Sequence, residues 1–228
     1  MTSDISSNSK ILIIGAGGAG VEALWVAQRM MAAGKAPFGG IHGFADDNTK
    51  LAGTVVEGFS VFGTVEQMLG EFSGGLLRFH CAIGCNRHRR AIAALLEAQG
   101  WEAVSLADTS AIVAESAQVG LGTYIGPLSI IAPCVKLGRH VLVNVGASIG
   151  HHSHCADFSQ ACPGARISGH ARLGEGAFVG SNGVVAPGVS VEEWATVGAA
   201  SLAVRDVPPK ATVLGVPARV LPLPNPGA

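Results

Sequence analysis

The chain has 228 residues, 48% of them hydrophobic and 14% charged, with a formal net charge of −1. That is ample apolar material for one or two packed domains, and the near-neutral balance excludes a polybasic surface for nucleic-acid phosphates or anionic lipid. Mean hydropathy is +0.41, yet no run approaches the roughly 18 consecutive apolar residues of a spanning helix, so no membrane insertion is expected and the apolar side chains belong inside the fold or at subunit interfaces.

The amino end, MTSDISSNSK, lacks the apolar core and cleavage site of a secretory signal. Five cysteines, an odd number without paired spacing, suit a reducing compartment better than a disulfide framework. Together these features predict a cytoplasmic protein. Cys81 and Cys85 lie four apart, but no second pair follows to complete a zinc site.

Up to about Val104 the pattern alternates between strands and helices. KILIIGAGGAG is a short apolar run followed by glycines, and VEALWVAQRMMAAG then reads as a helix with Val21, Leu24 and Trp25 on its apolar side and Gln28 on the polar one. Gly15, Gly17 and Gly20 form G-x-G-x-x-G in the strand, turn, helix context that gives the motif its meaning. Glycines permit a tight turn and close backbone approach, and a helix amino terminus favours an anion, so a phosphate or pyrophosphate is the natural ligand of Gly15, Gly17 and Gly18. IHGFADD reads as a second strand ending in Asp46 and Asp47, where a carboxylate can take a ribose or base donor. LLRFHCAIG reads as a later strand and NRHRRAIAALLEAQG as a helix from Asn86 to Gly100. A ligand-free tight turn and a nicotinamide dehydrogenase remain alternatives, although about 95 residues make only half of a full dinucleotide-binding sheet. One nucleotide fits better than two.

From Ala111 onward the texture changes. Written in sixes from Gln118, the chain aligns without a gap through QVGLGT, YIGPLS and IIAPCV to TVGAAS, and twelve of the fourteen second positions are Val, Ile or Leu. The third position is often glycine, as at Gly120, Gly126, Gly138, Gly150, Gly174, Gly180 and Gly198, and the sixth is small or Val. A constant interval of six predicts a parallel β-helix in which each edge buries one aliphatic side chain and three edges close a coil. The domain boundary is expected between residues 105 and 106, with residues 1–105 as the nucleotide-binding domain and 106–228 forming the solenoid and a disordered LPLPNPGA tail.

The repeat resembles the hexapeptide-repeat acyltransferases. Together with the glycine loop, FADDN, AIGCNRHRR and VGAASLAVRDVPPKATVLGVPARV, it resembles the bacterial nucleotide-sugar acetyltransferases typified by PglD and by the sialic acid O-acetyltransferase NeuD, over about Lys10 to Val220. That resemblance implies an N-terminal α/β Rossmann-like domain and a C-terminal left-handed parallel β-helix. It also implies a homotrimer with active sites at subunit interfaces and acetyl-CoA as co-substrate. The acceptor would be a nucleotide-linked amino sugar, in service of polysaccharide biosynthesis.

GHHSH, Gly150 to His154, then acquires a role. The family pattern is a histidine general base followed by an acidic residue, with a second histidine nine residues after the base. His151 matches the base, His152 stands in place of the acidic partner, and Gln160 replaces the later histidine that contacts acetyl-CoA. The resemblance also puts Asn144 near the sugar and Gly169 and Ala199 along the coenzyme arm; Asp108 stands where the family has histidine. An activated thioester needs positioning, proton removal and an oxyanion donor, not a covalent enzyme intermediate, so Cys155 and Cys162 read as small core residues. No metal is expected: His151, His152 and His154 are read as pointing apart along an extended edge, and His170 lies 19 positions from His151. His42, His80, His88 and His140 carry no argument. The expected reaction is N-acetylation of a 4-amino-deoxy sugar, its sugar projecting toward His151 from a nucleotide held by Gly15, Gly17, Gly18, Asp46 and Asp47. The alternatives are an O-acetyltransferase of the sialic acid type, a non-catalytic nucleotide-sugar-binding homologue, and a zinc hydrase.

Overall fold

The computed structural model describes residues 9–71 and 78–221. Expectations placed on residues 1–8, on Leu76 and Leu77, and on residues 222–228 lie outside the described residues. Two compact units form: one runs through Thr109 and takes in Leu121–Tyr124, and the other comprises Ser110–Gly120 and the chain from Ile125 onward. No helix of the described residues is long and apolar enough to cross a membrane.

The first unit is a four-stranded parallel sheet. In chain order its elements are β1 (Lys10–Ile14), α1 (Gly18–Ala32), β2 (Gly40–Ala45), a β3–β4 hairpin (Val55–Val56, Phe59–Ser60), α2 (Val65–Glu71), β5 (Arg78–Cys81), α3 (Asn86–Ala98) and β6 (Glu102–Ala103). The strand order is β2-β1-β5-β6, and Ile11 to Ile14 at its centre are all buried. A continuous apolar run suits a strand covered on both faces, as parallel sheets require. Helix α1 starts at Gly18, three residues before the expected start, because the Val21 N–H already bonds to the Gly17 carbonyl at 3.0 Å. Its buried stripe is Ala23, Leu24, Val26, Ala27 and Met30. Trp25, expected on the apolar side, is instead 49% exposed and carries the Arg29 guanidinium 5.4 Å from its ring centroid, a cation–π pairing worth about 0.5–1 kcal/mol at an exposed site. Arg29 also binds the buried Asp108 carboxylate through Nε at 2.6 Å and Nη2 at 3.2 Å. The aspartate in place of the family histidine is therefore half of an ion pair within this unit, and it holds the Arg29 guanidinium above its ordinary pKa.

The second unit is a left-handed β-helix. Two-residue strands pair in parallel with the strand one coil, or 18 residues, later: Ile149 with Ile167, Ile167 with Val185, Leu137 with Cys155. Second-position side chains fill the interior, except Val119 at 39% exposure in the early coils. Every sixth-position residue from Thr123 to Ser201 is buried as well. The third-position glycines are demanded by coil stacking: a Cβ on Gly150, Gly174 or Gly180 would stand 2.5 to 2.6 Å from the backbone nitrogen of the next coil.

The fifth position carries a regularity that the sequence does not advertise. From Gly122 to Ala200 every fifth-position residue, including Leu128, Cys134, His152, Phe158, His170 and Trp194, has φ between 53° and 73°. The corner geometry imposes this left-handed backbone. It costs a non-glycine residue about 1–2 kcal/mol, which the burial of one aliphatic side chain per edge, about 1.5–3 kcal/mol, offsets.

Candidate functional site

Two sites emerge, one in each unit. In the first, β1 ends at Ile14 and the chain turns through Gly15, Ala16 and Gly17 into α1. Gly15 has φ +100° and a Cβ there would meet the Ala82 carbonyl oxygen at 2.9 Å, while a Cβ on Gly20 would overlap the Gly15 carbonyl oxygen. These two glycines are required by the fold itself. A Cβ on Gly17 or Gly18 would meet nothing within 4 Å. Gly17 is the N-cap of α1, without a side-chain cap and without an acidic residue in the first turn. The backbone amides of that turn are what an anion would engage.

Asp46 and Asp47 follow β2 and already serve the loop. Asp46 accepts the Ala16 N–H at 2.7 Å through one oxygen and the Asn48 N–H at 2.8 Å through the other. Asp47 accepts the Val65 N–H at 3.0 Å at the start of α2. Both carboxylates thus clamp the loops around a cleft lined by Ile14, Gly15, Ala45, Asp46, Asp47, Val65, Ile83 and His88. The cleft lies at the carboxyl ends of β1, β2 and β5, where open parallel sheets bind ligands. Sequence reasoning set His88 aside and missed Val65 and Ile83. The available signal for His88 was its place in the first turn of a helix that follows a parallel strand.

In the second unit His151 and His152 occupy the turn after the strand Ser148–Ile149. They are on a corner rather than an extended edge, which corrects the expectation that neighbouring histidines point apart. His152 sits at a left-handed fifth position, and its Nδ1 lies 3.2 Å from His151 Nδ1. His170, one coil after His152, stacks on it with centroids 4.9 Å apart and planes 13° from parallel. One nitrogen from each of His151, His152 and His170 lies within 4.8 Å of the others. The 19-residue gap that seemed to separate His170 from His151 is one coil plus one residue. His154 lies apart from them, on the following strand, and is exposed.

The remaining candidates divide by face. Gly169 joins the histidine corner: a Cβ on it would stand 2.7 Å from both Cε1 and Nε2 of His151. Asn144 and Ala199 follow strands of a different face, the one that pairs Leu142–Val143 with Gln160–Ala161. Gln160 is buried, its Nε2 is 3.4 Å from Cys162 Sγ, and its Oε1 is buried without a hydrogen-bond donor. Within one chain these three residues are not brought to His151. Cys155 is wholly buried, and burial pushes its thiol up to about 12; Cys162 is also buried. Neither is placed as a thiolate nucleophile would be.

Residues 10–96 match the family model described as the PglD N-terminal domain. The chain is 31% identical to the acetyltransferase domain of PglB from Neisseria gonorrhoeae, with a TM-score of 0.82 over 94% of this chain and 100% of that one; that domain has also been solved with acetyl coenzyme A. A variant of the perosamine N-acetyltransferase from Caulobacter crescentus, in complex with CoA and GDP-perosamine, is 28% identical with a TM-score of 0.84 over 94% of this chain and 97% of that one. The GDP-perosamine N-acetyltransferase of Escherichia coli O157:H7 is 26% identical over 146 residues. That alignment spans 64% of this chain and 64% of the curated relative, less than two thirds of its length.

Proposed function

Because this chain belongs to the PglD/NeuD-type hexapeptide-repeat sugar acetyltransferases, we propose that it transfers acetyl from acetyl-CoA to the amino group of a nucleotide-linked 4-amino-deoxy sugar. Support for the acceptor class comes from the perosamine N-acetyltransferases among its relatives. Support for the co-substrate comes from the complexes of those relatives with CoA or acetyl-CoA.

One observation carries the mechanism: the 3.2 Å approach of the two Nδ1 atoms of His151 and His152. Two nitrogens at that separation share one hydrogen. If His151 donates from Nδ1, its Nε2 keeps the lone pair that a base needs, and the proton it gains is carried by a ring held against a neutral acceptor. His152 thereby does the orienting part of the missing acidic residue's work without its charge. The sugar amine attacks the thioester carbonyl as Nε2 takes its proton, and the tetrahedral intermediate collapses to amide and coenzyme A thiolate, which is then protonated. The C–N bond forms and the C–S bond breaks, with no enzyme-bound acyl group. In the first unit, the open backbone at Gly17 and Gly18 would take the nucleotide's phosphates. The working assembly we propose is a trimer, with exposed apolar residues of the early coils such as Ile112, Leu128 and Ile130 as surface for subunit contact.

The test is turnover of acetyl-CoA over a panel of nucleotide-linked amino and hydroxy sugars, comparing wild type with His151→Ala. Removing a general base costs about 10²–10⁴ in rate. Acetylation of the amino sugars, with a loss of that size, supports the proposal. Activity confined to hydroxyl acceptors would replace it with O-acetylation, and an unimpaired His151→Ala would remove His151 as base.

A further inference from the structure

Three imidazoles converge where the proposed transfer reaction uses one as base and one to orient it. His151 and His152 come from one turn and His170 from the turn one coil later, and all three are exposed. The backbone holds them there. His170 N–H donates to the His151 carbonyl at 2.9 Å, and His152 and His170 share the same left-handed corner conformation, with φ of 59° and 61°. Their nitrogens lie within 4.8 Å of one another, and the cluster contains neither carboxylate nor thiol.

We propose that His151, His152 and His170 bind one borderline divalent transition-metal ion of the Zn²⁺ class, and that the bound ion switches off acetyl transfer by taking Nδ1 of His151 and so fixing the ring's hydrogen on Nε2. The inhibitory half rests on His151 being the base; the binding half does not.

The donor set argues for the class of ion. Neutral imidazoles suit zinc, nickel and copper, whereas magnesium and calcium demand oxygen ligands. Four-coordinate zinc with Zn–N of about 2.0–2.1 Å needs donor nitrogens about 3.3–3.4 Å apart. The His151–His152 pair already stands at 3.2 Å. Since no pair stands more than 4.8 Å apart, reaching that spacing takes at most about 1.5 Å of ring movement, within reach of exposed side chains on a fixed backbone. Three protein ligands leave a fourth position for water. With Nδ1 of His151 on the ion, the neutral ring carries its hydrogen on Nε2, which then has no lone pair left to accept the sugar's proton, so the contact that holds the ion also removes the base.

Zinc chloride is titrated into the full-length protein in competition with a chromophoric zinc indicator. It is titrated in parallel into the turnover assay, read by chromatography of the acetylated sugar because freed coenzyme A thiol itself binds zinc. The informative variant is His170→Asn, since asparagine tolerates the left-handed corner and His170 has no part in the transfer chemistry. Wild type should take up one ion per chain and lose activity. His170→Asn should turn over normally without zinc, bind it at least tenfold more weakly, and need at least tenfold more for inhibition. Failure of the wild type to compete with the indicator would overturn the site. Equal inhibition of both proteins would overturn it too, placing the ion at exposed thiols such as Cys85 or Cys134. Uptake without inhibition would overturn the switching role. If His151→Ala proves fully active, the base reading fails separately, and the indicator titration still decides whether the three histidines hold metal.

Discussion

The imidazole of His151 lies against the Cα of Gly169, one coil further along, so closely that a methyl group on Gly169 would stand 2.7 Å from both Cε1 and Nε2. Gly169 is therefore the floor on which the proposed base rests. Its φ lies outside the left-handed range, so a side chain there is opposed by the ring and not by the backbone.

Gly169→Ala should displace the ring, which is exposed and free to move, at little cost in stability. We expect Tm to change by no more than that of a surface substitution, within about 0.5 kcal/mol. The turnover number should fall at least tenfold while KM for the sugar changes less. In a His151→Ala background the same substitution should have no further effect, because residues acting through one group are non-additive. A full second loss in the double variant would mean that Gly169 acts on the coenzyme instead.

The glycine loop separates fold from ligand. A Cβ on Gly20 runs into the Gly15 carbonyl oxygen, whereas one on Gly17 meets open space. Gly20→Ala should destabilise the first unit by about 1–3 kcal/mol, the usual range for overpacking. Gly17→Ala should leave the melting curve unchanged and raise KM for the nucleotide sugar, which binding and melting measurements read independently.

Thiol chemistry should report burial. At neutral pH an alkylating reagent should modify Cys85 and Cys134, which are exposed, and spare Cys81, Cys155 and Cys162. Cys155→Ala should retain turnover. Burial raises the folded-state pKa of Cys155 from its ordinary 9.0 to about 12, so its contribution to stability is complete below about 9 and declines as pH rises toward about 12. The stability lead of wild type over Cys155→Ala should shrink across that window by up to about 1.4 kcal/mol per pH unit. A constant lead in denaturant titrations at pH 8 and pH 11 would contradict the assignment.

Within the repeat, glycine serves two different needs. Gly146 has φ +65° with open space where a Cβ would go, and Gly150 has a neighbouring backbone nitrogen 2.5 Å from that point. Gly146→Ala should cost about 1–2 kcal/mol through backbone strain, and Gly146→Asn should recover much of it. Gly150→Ala and Gly150→Asn should both be destabilising, since the obstacle is the next coil and no choice of side chain avoids it. Chemical denaturation of the four variants checks the pattern.

The sequence alone determined the β-helix, because one aliphatic residue per six is a local rule repeated along fourteen blocks. It also located the strand, glycine turn and helix of the first unit, whose motif depends on residues close together in the chain. Other features depended on the winding. A coil of 18 residues brings His170 onto His152 and Gly169 beneath His151, and neither pair is adjacent in any linear motif. Spacing made His170 look remote and gave no sign that Gly169 lies against His151. The same stacking decides which glycines answer to backbone conformation and which to a neighbouring coil. Trp25 fits the helical stripe by spacing, yet the tertiary structure turns it outward onto Arg29, whose guanidinium also reaches Asp108. Periodicity records what each residue does along its own segment. Partners one coil or 79 residues away are set by how the segments pack, since packing alone determines which side chains come within a few ångströms.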